Sequence, residues 1–374
     1  MEFLKPLADY YYFFYWLIVM IMTFSQFHMM KASKGFAVLS KRYNYRPILL
    51  FTIFYIIFFG FRPIAECFGD TINYRKGYEF FRDFGVFMNG DEIASNDVIF
   101  YTFEKICAKS VDIHVWFAII MLFYMMMMLG GCKKIDYRHG ALLMLFCLGS
   151  FEFYPYSVNG IRNGVACSFA IMAVACLCKE EKIWALIWSI IAVGCHKSTA
   201  LPIATVFFSY YVSKPKFMYI TWLGAIVLSL AIGGSIDNLL SSLSYDDRLS
   251  DNLRSDSADG LILKHSFRWD FLLYSFMPIL LGWYTIFKRK LFNKTYLILL
   301  GTYMYANAFW IFAIRAIFSN RIAYLSWFIY PIVLAYPLLN FPVFKKNHTV
   351  KTAWILLGQF GFTTILAIIY YSYW

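Results

Sequence analysis

Charge is what this sequence has least of. Only 15% of its 374 residues are Asp, Glu, Lys or Arg, against 61% hydrophobic and 21% aromatic. A soluble domain carries about a quarter charged residues, so the shortage excludes an ordinary globular protein. Alternation of apolar and polar residues is missing too. Runs such as FAIIMLFYMMMMLGG exclude barrel strands and point to membrane-crossing helices. Cysteine occurs eight times, but never as CxxC; Cys176 and Cys178 form CxC. That excludes a zinc ribbon or a disulfide ladder, and we read the cysteines as small buried hydrophobes. The first residues lack a basic segment and a small-residue cleavage site, so no removable signal peptide is expected. No fixed-period repeat appears, which counts against a transporter built from two related halves.

What is present is a succession of apolar segments. Twelve candidate spans run at roughly 10–30, 47–63, 113–131, 140–158, 160–178, 183–196, 198–213, 217–236, 270–287, 295–314, 322–340 and 352–374. The sixth and seventh are short and read either as two spans or as one span plus a re-entrant segment. The expected fold is therefore an all-α polytopic membrane protein with about 12 transmembrane helices, a single integral membrane domain over 1–374.

The net charge of +12 is explained by topology, and no nucleic-acid partner is expected. Every second connection is basic: 31–46, 132–139, 179–182, 214–216, 288–294 and 345–351 together hold 19 Lys/Arg and 3 acids, whereas the rest of the chain holds 15 and 19. The positive-inside rule places the basic set in the cytoplasm and both termini outside. Two outer loops, about 62–112 and 237–269, are long. GDTINYRKGYEFFRDF in the first has aromatic residues at near-helical spacing and is expected to lie at the interface as an amphipathic helix. The second is Ser/Asp-rich.

On this topology the polar residues within or beside spans collect at the outer side. They are Glu152 in SFEFYPY, Arg162 in NGIRNGVA, His196 and Lys197 in GCHKSTAL, Arg268 and Asp270 in HSFRWDF, and Arg315 and Arg321 in FAIRAIFSNRIAYL. No cytoplasmic span end carries a comparable set beyond its topology lysines. Buried charges cost several kcal/mol unless paired or hydrated. Each of these residues alone has an ordinary reading: a snorkelling cation, a hydrogen-bonded histidine, or an ion pair between Glu152 and Arg162. Together they suggest a polar cavity open to the outer face. Arginine grips phosphate through two coplanar donors, so a diphosphate-sized anion is the expected guest.

These residues also carry a resemblance. Ile161-Arg162-Asn163-Gly164-Val165-Ala166, a short charged turn, and then His196-Lys197-Ser198-Thr199-Ala200-Leu201 resemble the EpsG family of exopolysaccharide polymerases, related to Wzy-type O-antigen polymerases. Asn163 stands where that family usually has Gln, and Thr199 is inserted between Ser and Ala. Gly69–Tyr74 (GDTINY) is similar to its Asp-x-x-x-Tyr element, and Ser319–Leu334 to its late Arg-x-x-x-Tyr span. The resemblance covers roughly 60–335. It implies a GT-C-like membrane glycosyltransferase of the bacterial inner membrane. Such an enzyme joins undecaprenyl-diphosphate-linked oligosaccharide units into exopolysaccharide, capsule or O-antigen at the extracytoplasmic face.

The residues fit that chemistry. Arg162 and Arg321, with Arg268 and then Arg315, suit a departing diphosphate. His196 suits a general base, with Ser198 orienting it. Asp70 and Glu152 are alternative bases or sugar ligands, and Tyr74, Tyr324 and Asn163 are candidate substrate contacts. Asp70 beside Asn73 is too sparse for a magnesium cage, so no metal and no cofactor are expected. Expected partners are the lipid bilayer and the lipid-linked oligosaccharide, with a chain-length regulator and a flippase as further candidates. The alternatives are a lipid-linked oligosaccharide flippase or transporter, and a polysaccharide O-acyltransferase.

Overall fold

A computed structural model describes residues 2–33, 44–87, 97–232, 267–315 and 319–370; the second expected outer loop, up to residue 266, lies outside them. The described residues are helical and contain no strand. Six helices are long and apolar enough to cross a membrane: Pro6–Ala32, Ile113–Ile135, Ile161–Cys178, Trp269–Lys288, Arg321–Asn340 and His348–Tyr370. Arg46–Gly60, Lys182–Cys195 and Pro215–Ala231 are shorter apolar helices. The chain divides into two compact units, Met1–Thr199 with Leu338–Trp374, and Ala200–Pro337.

The first unit contains α1 (Tyr11–Ala32), α2 (Arg46–Gly60), α3 (Thr71–Phe84), α4 (Val98–Ala108), α5 (Ile113–Ile135), α6 (Gly140–Leu148), α7 (Phe153–Val158), α8 (Ile161–Cys178) and α9 (Lys182–Cys195). Helix α8 is its centre and packs between α5 and α9. It is apolar all round and rich in small residues, and Gly164, Ala166, Ala170, Ala173 and Ala175 are all buried. Small side chains let neighbouring backbones approach, which is how helices associate where lipid removes the hydrophobic driving force. Helix α9 answers with Ala185, Ser189 and Ala192, buried at i, i+4 and i+7. Its opposite face, Ile183, Trp184, Leu186 and Ile190, is more than half exposed, as a lipid-facing surface should be.

The expected fourth span is broken between α6 and α7, and Glu152 stands at the start of α7. A break frees backbone carbonyls, which in an apolar surrounding must find donors. Side chains supply them. Gln359 Nε2 donates to Phe146 O at 2.9 Å, Tyr124 OH to Phe153 O at 3.1 Å, and Tyr15 OH to Leu148 O.

The segment that follows α2 is ordered by Arg62, whose side chain is buried. Nη1 donates to Phe59 O at 3.0 Å, and Nη2 donates to Thr71 Oγ1 at 3.2 Å and Val158 O at 3.1 Å. The guanidinium also lies 4.4 Å from the Phe117 ring centroid, a cation–π contact. One side chain thus ties together the ends of α2 and α7 and the start of α3. The helix expected in GDTINYRKGYEFFRDF forms as α3, with Thr71, Tyr78 and Phe81 buried. A second helix, α4, was not expected.

The second unit contains α10 (Ala200–Tyr211), α11 (Pro215–Ile232), α12 (Trp269–Trp283), α13 (Lys294–Phe312), α14 (Ser319–Trp327) and most of α15 (Tyr330–Asn340). Spans six and seven are therefore two helices, α9 and α10, joined by a 3-10 turn at Lys197–Thr199. Helix α13 is the hub, against which α10, α11, α12 and α14 pack. Its buried Asn307 accepts from Trp222 Nε1 at 2.8 Å and donates to Ser275 Oγ at 3.1 Å and Ser326 Oγ at 3.0 Å. Trp327 Nε1 also donates to Ser275 Oγ, at 2.8 Å. This network links four helices through side-chain hydrogen bonds. The last helix of the chain, α16 (His348–Tyr370), belongs to the first unit and packs along α1.

Candidate functional site

The first unit gathers three chain segments around one carboxylate. Asp97 precedes α4, Arg162 is the second residue of α8, and His196 caps the C-terminus of α9. Asp97 Oδ2 accepts from Arg162 Nη1 at 2.7 Å and lies 3.0 Å from His196 Nδ1. Its Oδ1 accepts from the Lys197 backbone N–H at 2.9 Å. The carboxylate is only 4% exposed, whereas Arg162 and His196 are 14% and 17% exposed. The two basic side chains therefore face outward from a buried anion.

Burial by itself would raise Asp97. The His196 bond, Arg162 and the Lys197 N–H outweigh it and hold the carboxyl below the usual carboxylate range. Asp97 is thus ionised at neutral pH, and it fixes the imidazole. A neutral His196 with its Nδ1 proton toward the carboxylate presents Nε2 as an acceptor.

Aromatic residues complete the surroundings. Arg162 Nη1 donates to Tyr101 OH at 2.9 Å, and the guanidinium lies 5.6 Å from the Tyr101 ring centroid. The Tyr74 phenol lies close enough to feel the same guanidinium. Burial raises both phenols above their ordinary range, so both remain neutral donors.

Asp70 sits at the edge of this group. Its backbone N–H donates to Asn159 Oδ1 at 2.9 Å, and its carboxylate accepts from Asn73 Nδ2 at 3.3 Å. Gly69, with φ +60°, passes so close to Asn159 that a Cβ would collide with the amide. Two of the motif segments, GDTINY and SVNGIRN, are therefore interlocked. Within the second, a Cβ at Gly164 would collide with Tyr156 O, so glycine there lets α8 start directly against α7.

Several expectations are corrected. The carboxylate paired with Arg162 is Asp97, while Glu152 is buried at the start of α7, beside Tyr15 and Tyr124. Ser198 does not orient His196. Its Oγ is buried with no hydrogen-bond partner among the described residues, and Asp97 fills that role. The inserted Thr199 instead secures the turn, donating to His196 O at 2.6 Å and Ala192 O at 2.9 Å. Asn163 accepts from Cys167 Sγ at 3.4 Å.

The basic connection 132–139, expected in the cytoplasm, also carries more than topology charges. Asp136 Oδ2 is bonded to His139 Nδ1 and Asn340 Nδ2, both at 2.7 Å, and Lys134 pairs with Glu181 at 2.6 Å. Lys134 and Glu181 lie by the far end of α8 from Arg162, and that end is about 24 Å from Arg162 at 1.5 Å rise per residue. That cluster is satisfied internally and serves as a cap.

The second unit holds the other predicted residues. Arg268 forms a two-pronged ion pair with Asp270, at 3.1 and 2.8 Å, and stacks 3.7 Å over Phe271. Phe271 and Tyr324 both pack on Trp327. Arg315 lies 5.3 Å from the Phe267 ring. Arg321 is exposed one turn before Tyr324 on α14.

Sequence reasoning missed Asp97, Tyr101 and Glu104. A signal existed. An Asp immediately before the apolar run VIFY is a helix-start pattern, and positions 97, 101 and 104 share one helical face. The loop was read for its net acidity and not for this spacing.

Among known proteins, a model of the EpsG family matches residues 46–373. No curated protein and no solved structure matches the chain.

Proposed function

The chain belongs to the EpsG family, and from that membership we propose that it is a membrane glycosyltransferase extending an exopolysaccharide. Its substrates would be undecaprenyl-diphosphate-linked oligosaccharides, joined at the outer face of the bacterial plasma membrane. The observation that carries this reading is the single carboxylate, Asp97, holding Arg162 and His196 together at one end of α8.

In the proposed step the acceptor sugar hydroxyl attacks the anomeric carbon of the donor. Its proton passes to His196 Nε2 as the new C–O bond forms. The bond from the anomeric carbon to the diphosphate breaks, and its electron pair leaves with the diphosphate oxygen. Asp97 stabilises the imidazolium that results, as a buried carboxylate does in a Ser-His-Asp triad. Arg162 Nη1 is committed to Asp97 and Tyr101, which leaves other guanidinium N–H groups to meet the departing oxygen. A preorganised donor of this kind is worth about 10²–10³ in rate, and a positioned base about 10²–10⁴. Asp70 is the candidate for an acceptor-sugar hydroxyl. Arg321, at the exposed start of α14, is retained as a phosphate-binding candidate.

Purified protein in liposomes, supplied with synthetic lipid-linked repeat units, should convert them to a ladder of longer chains on a gel. Arg162→Ala and His196→Ala, each inserted at normal levels, should leave single units unextended. Normal ladders from both variants would remove the assignment. Movement of labelled units across the bilayer without lengthening would identify a flippase instead.

A further inference from the structure

Seven residues after Asp97, on the same face of α4, lies an acidic side chain that the proposed step does not use. Glu104 is 4% exposed. It lies in the electrostatic field of Arg162, and no hydrogen bond or ion pair among the described residues engages it. Tyr101, between the two acids, receives the Arg162 bond. The two carboxyls thus bracket the contact between α4 and the guanidinium.

Their environments differ. Asp97 has three donors and is held below the usual range against burial. Glu104 has none among the described residues, and burial raises it to about 7 even with Arg162 pulling the other way. Paired carboxyls pushed apart in this way take different roles. The groups that reach Glu104 can be named by element. Helix α8 brings Arg162, and α3 brings Tyr78 and passes Gly77 close to Glu104 Oε1. Its own helix brings Tyr101 and Cys107. Asp97 and the groups around it, Cys195 and the capping His196 of α9, lie toward the other end of the guanidinium contact. Asp112, which caps the start of α5, acts on Tyr78. Lys105 is turned away, over the Phe81 ring at 5.7 Å. Arg162 is thus the cation whose charge reaches Glu104.

We propose that Glu104 is a positioning residue that controls how much of the Arg162 charge is offered to a diphosphate: protonated, it leaves the guanidinium to the anion, and ionised, it competes for it. The two anions exclude each other's charge. Binding of a diphosphate beside Arg162 draws part of a proton from solvent onto Glu104, and departure of the diphosphate returns it. The inference rests on the assignment of Arg162 to the diphosphate.

Farnesyl-diphosphate-linked N-acetylglucosamine is a suitable probe, because a diphosphate diester gains and loses no proton near neutrality. Its binding to the purified full chain in detergent is measured by calorimetry on either side of pH 7, in buffers of different ionisation heat. Wild-type protein should bind about tenfold more weakly on the alkaline side, the consequence of a one-unit shift of Glu104 on binding. Binding should also take up protons. Both effects should survive in His196→Gln and vanish in Glu104→Gln. A wild-type affinity that does not change with pH overturns the role of Glu104 while leaving the site reading intact, and this measurement needs no variant to fold. A pH effect lost in His196→Gln and kept in Glu104→Gln also overturns it. No binding of the probe at any pH overturns the inference together with the reading beneath it.

Discussion

Replacing Asp97 by Asn tests the centre of the site with little change of shape. Three donors converge on this carboxylate: Arg162 Nη1 at 2.7 Å, the Lys197 N–H at 2.9 Å and His196 Nδ1 at 3.0 Å. An amide keeps one acceptor oxygen and turns an NH₂ group toward groups that are themselves donors. It also removes the charge that offsets Arg162 and that would stabilise a protonated His196. Breaking a buried ion pair by removing one partner costs about 3–5 kcal/mol of folding stability. A positioned base is worth about 10²–10⁴ in rate, and without the carboxylate that orients His196 most of that should be lost from chain extension. The assay is the rate of ladder formation from synthetic lipid-linked units, per folded molecule in liposomes. A purely structural role would lower the amount of folded protein and leave the rate per molecule alone. Asp97→Asn protein extending chains within tenfold of the wild-type rate, at equal folded amount, would refute the reasoning.

Other outcomes follow from the same geometry. The folded chain holds the Glu104 proton more tightly than the unfolded chain does. Its contribution to stability is therefore complete below the ordinary value of 4.5 and is lost as pH rises through about 7. The melting temperature in detergent should fall across that window, by the equivalent of at most about 3 kcal/mol, and Glu104→Gln should flatten the fall; an unchanged slope would contradict the burial argument. In the second unit, Asn307→Ala strips a partner from Trp222, Ser275 and Ser326. Membrane hydrogen bonds of this kind average about 0.6 kcal/mol each, so a loss of about 1–2 kcal/mol is expected in a denaturation titration. Gly69→Ala forces a Cβ onto Asn159 at φ +60°; a cost of about 1–3 kcal/mol should appear as a lower melting temperature, along with slowed chain extension.

Much of this was legible before any coordinates. Arg162 and His196 stood out because ionisable residues in an apolar stretch are rare and expensive, and the charge alternation of the short connections assigned both to one side. The amphipathic spacing of α3 was equally plain. The break between α6 and α7 was not, because its stabilising donors, Tyr15, Tyr124 and Gln359, come from three other helices. Asp97 was overlooked for a related reason. In a loop rich in acids, its place before the apolar run VIFY was the local mark, and a helix-start position does not say which carboxylate becomes buried. Ser198 was chosen as the partner of His196 by nearness in sequence, yet the turn at Lys197–Thr199 points its Oγ into a place without a partner among the described residues.

Composition and charge order thus determined the solvent and the helices, since both depend on the transfer of residues one at a time between water and hydrocarbon, and the order of the short motifs pointed to the family. Which acid binds Arg162, which carboxyl stays ionised and which takes up a proton near neutrality were decided only by tertiary packing. A carboxyl's charge state depends on its burial and on the donors that reach it, and those donors arrive from segments 65 and 99 residues away.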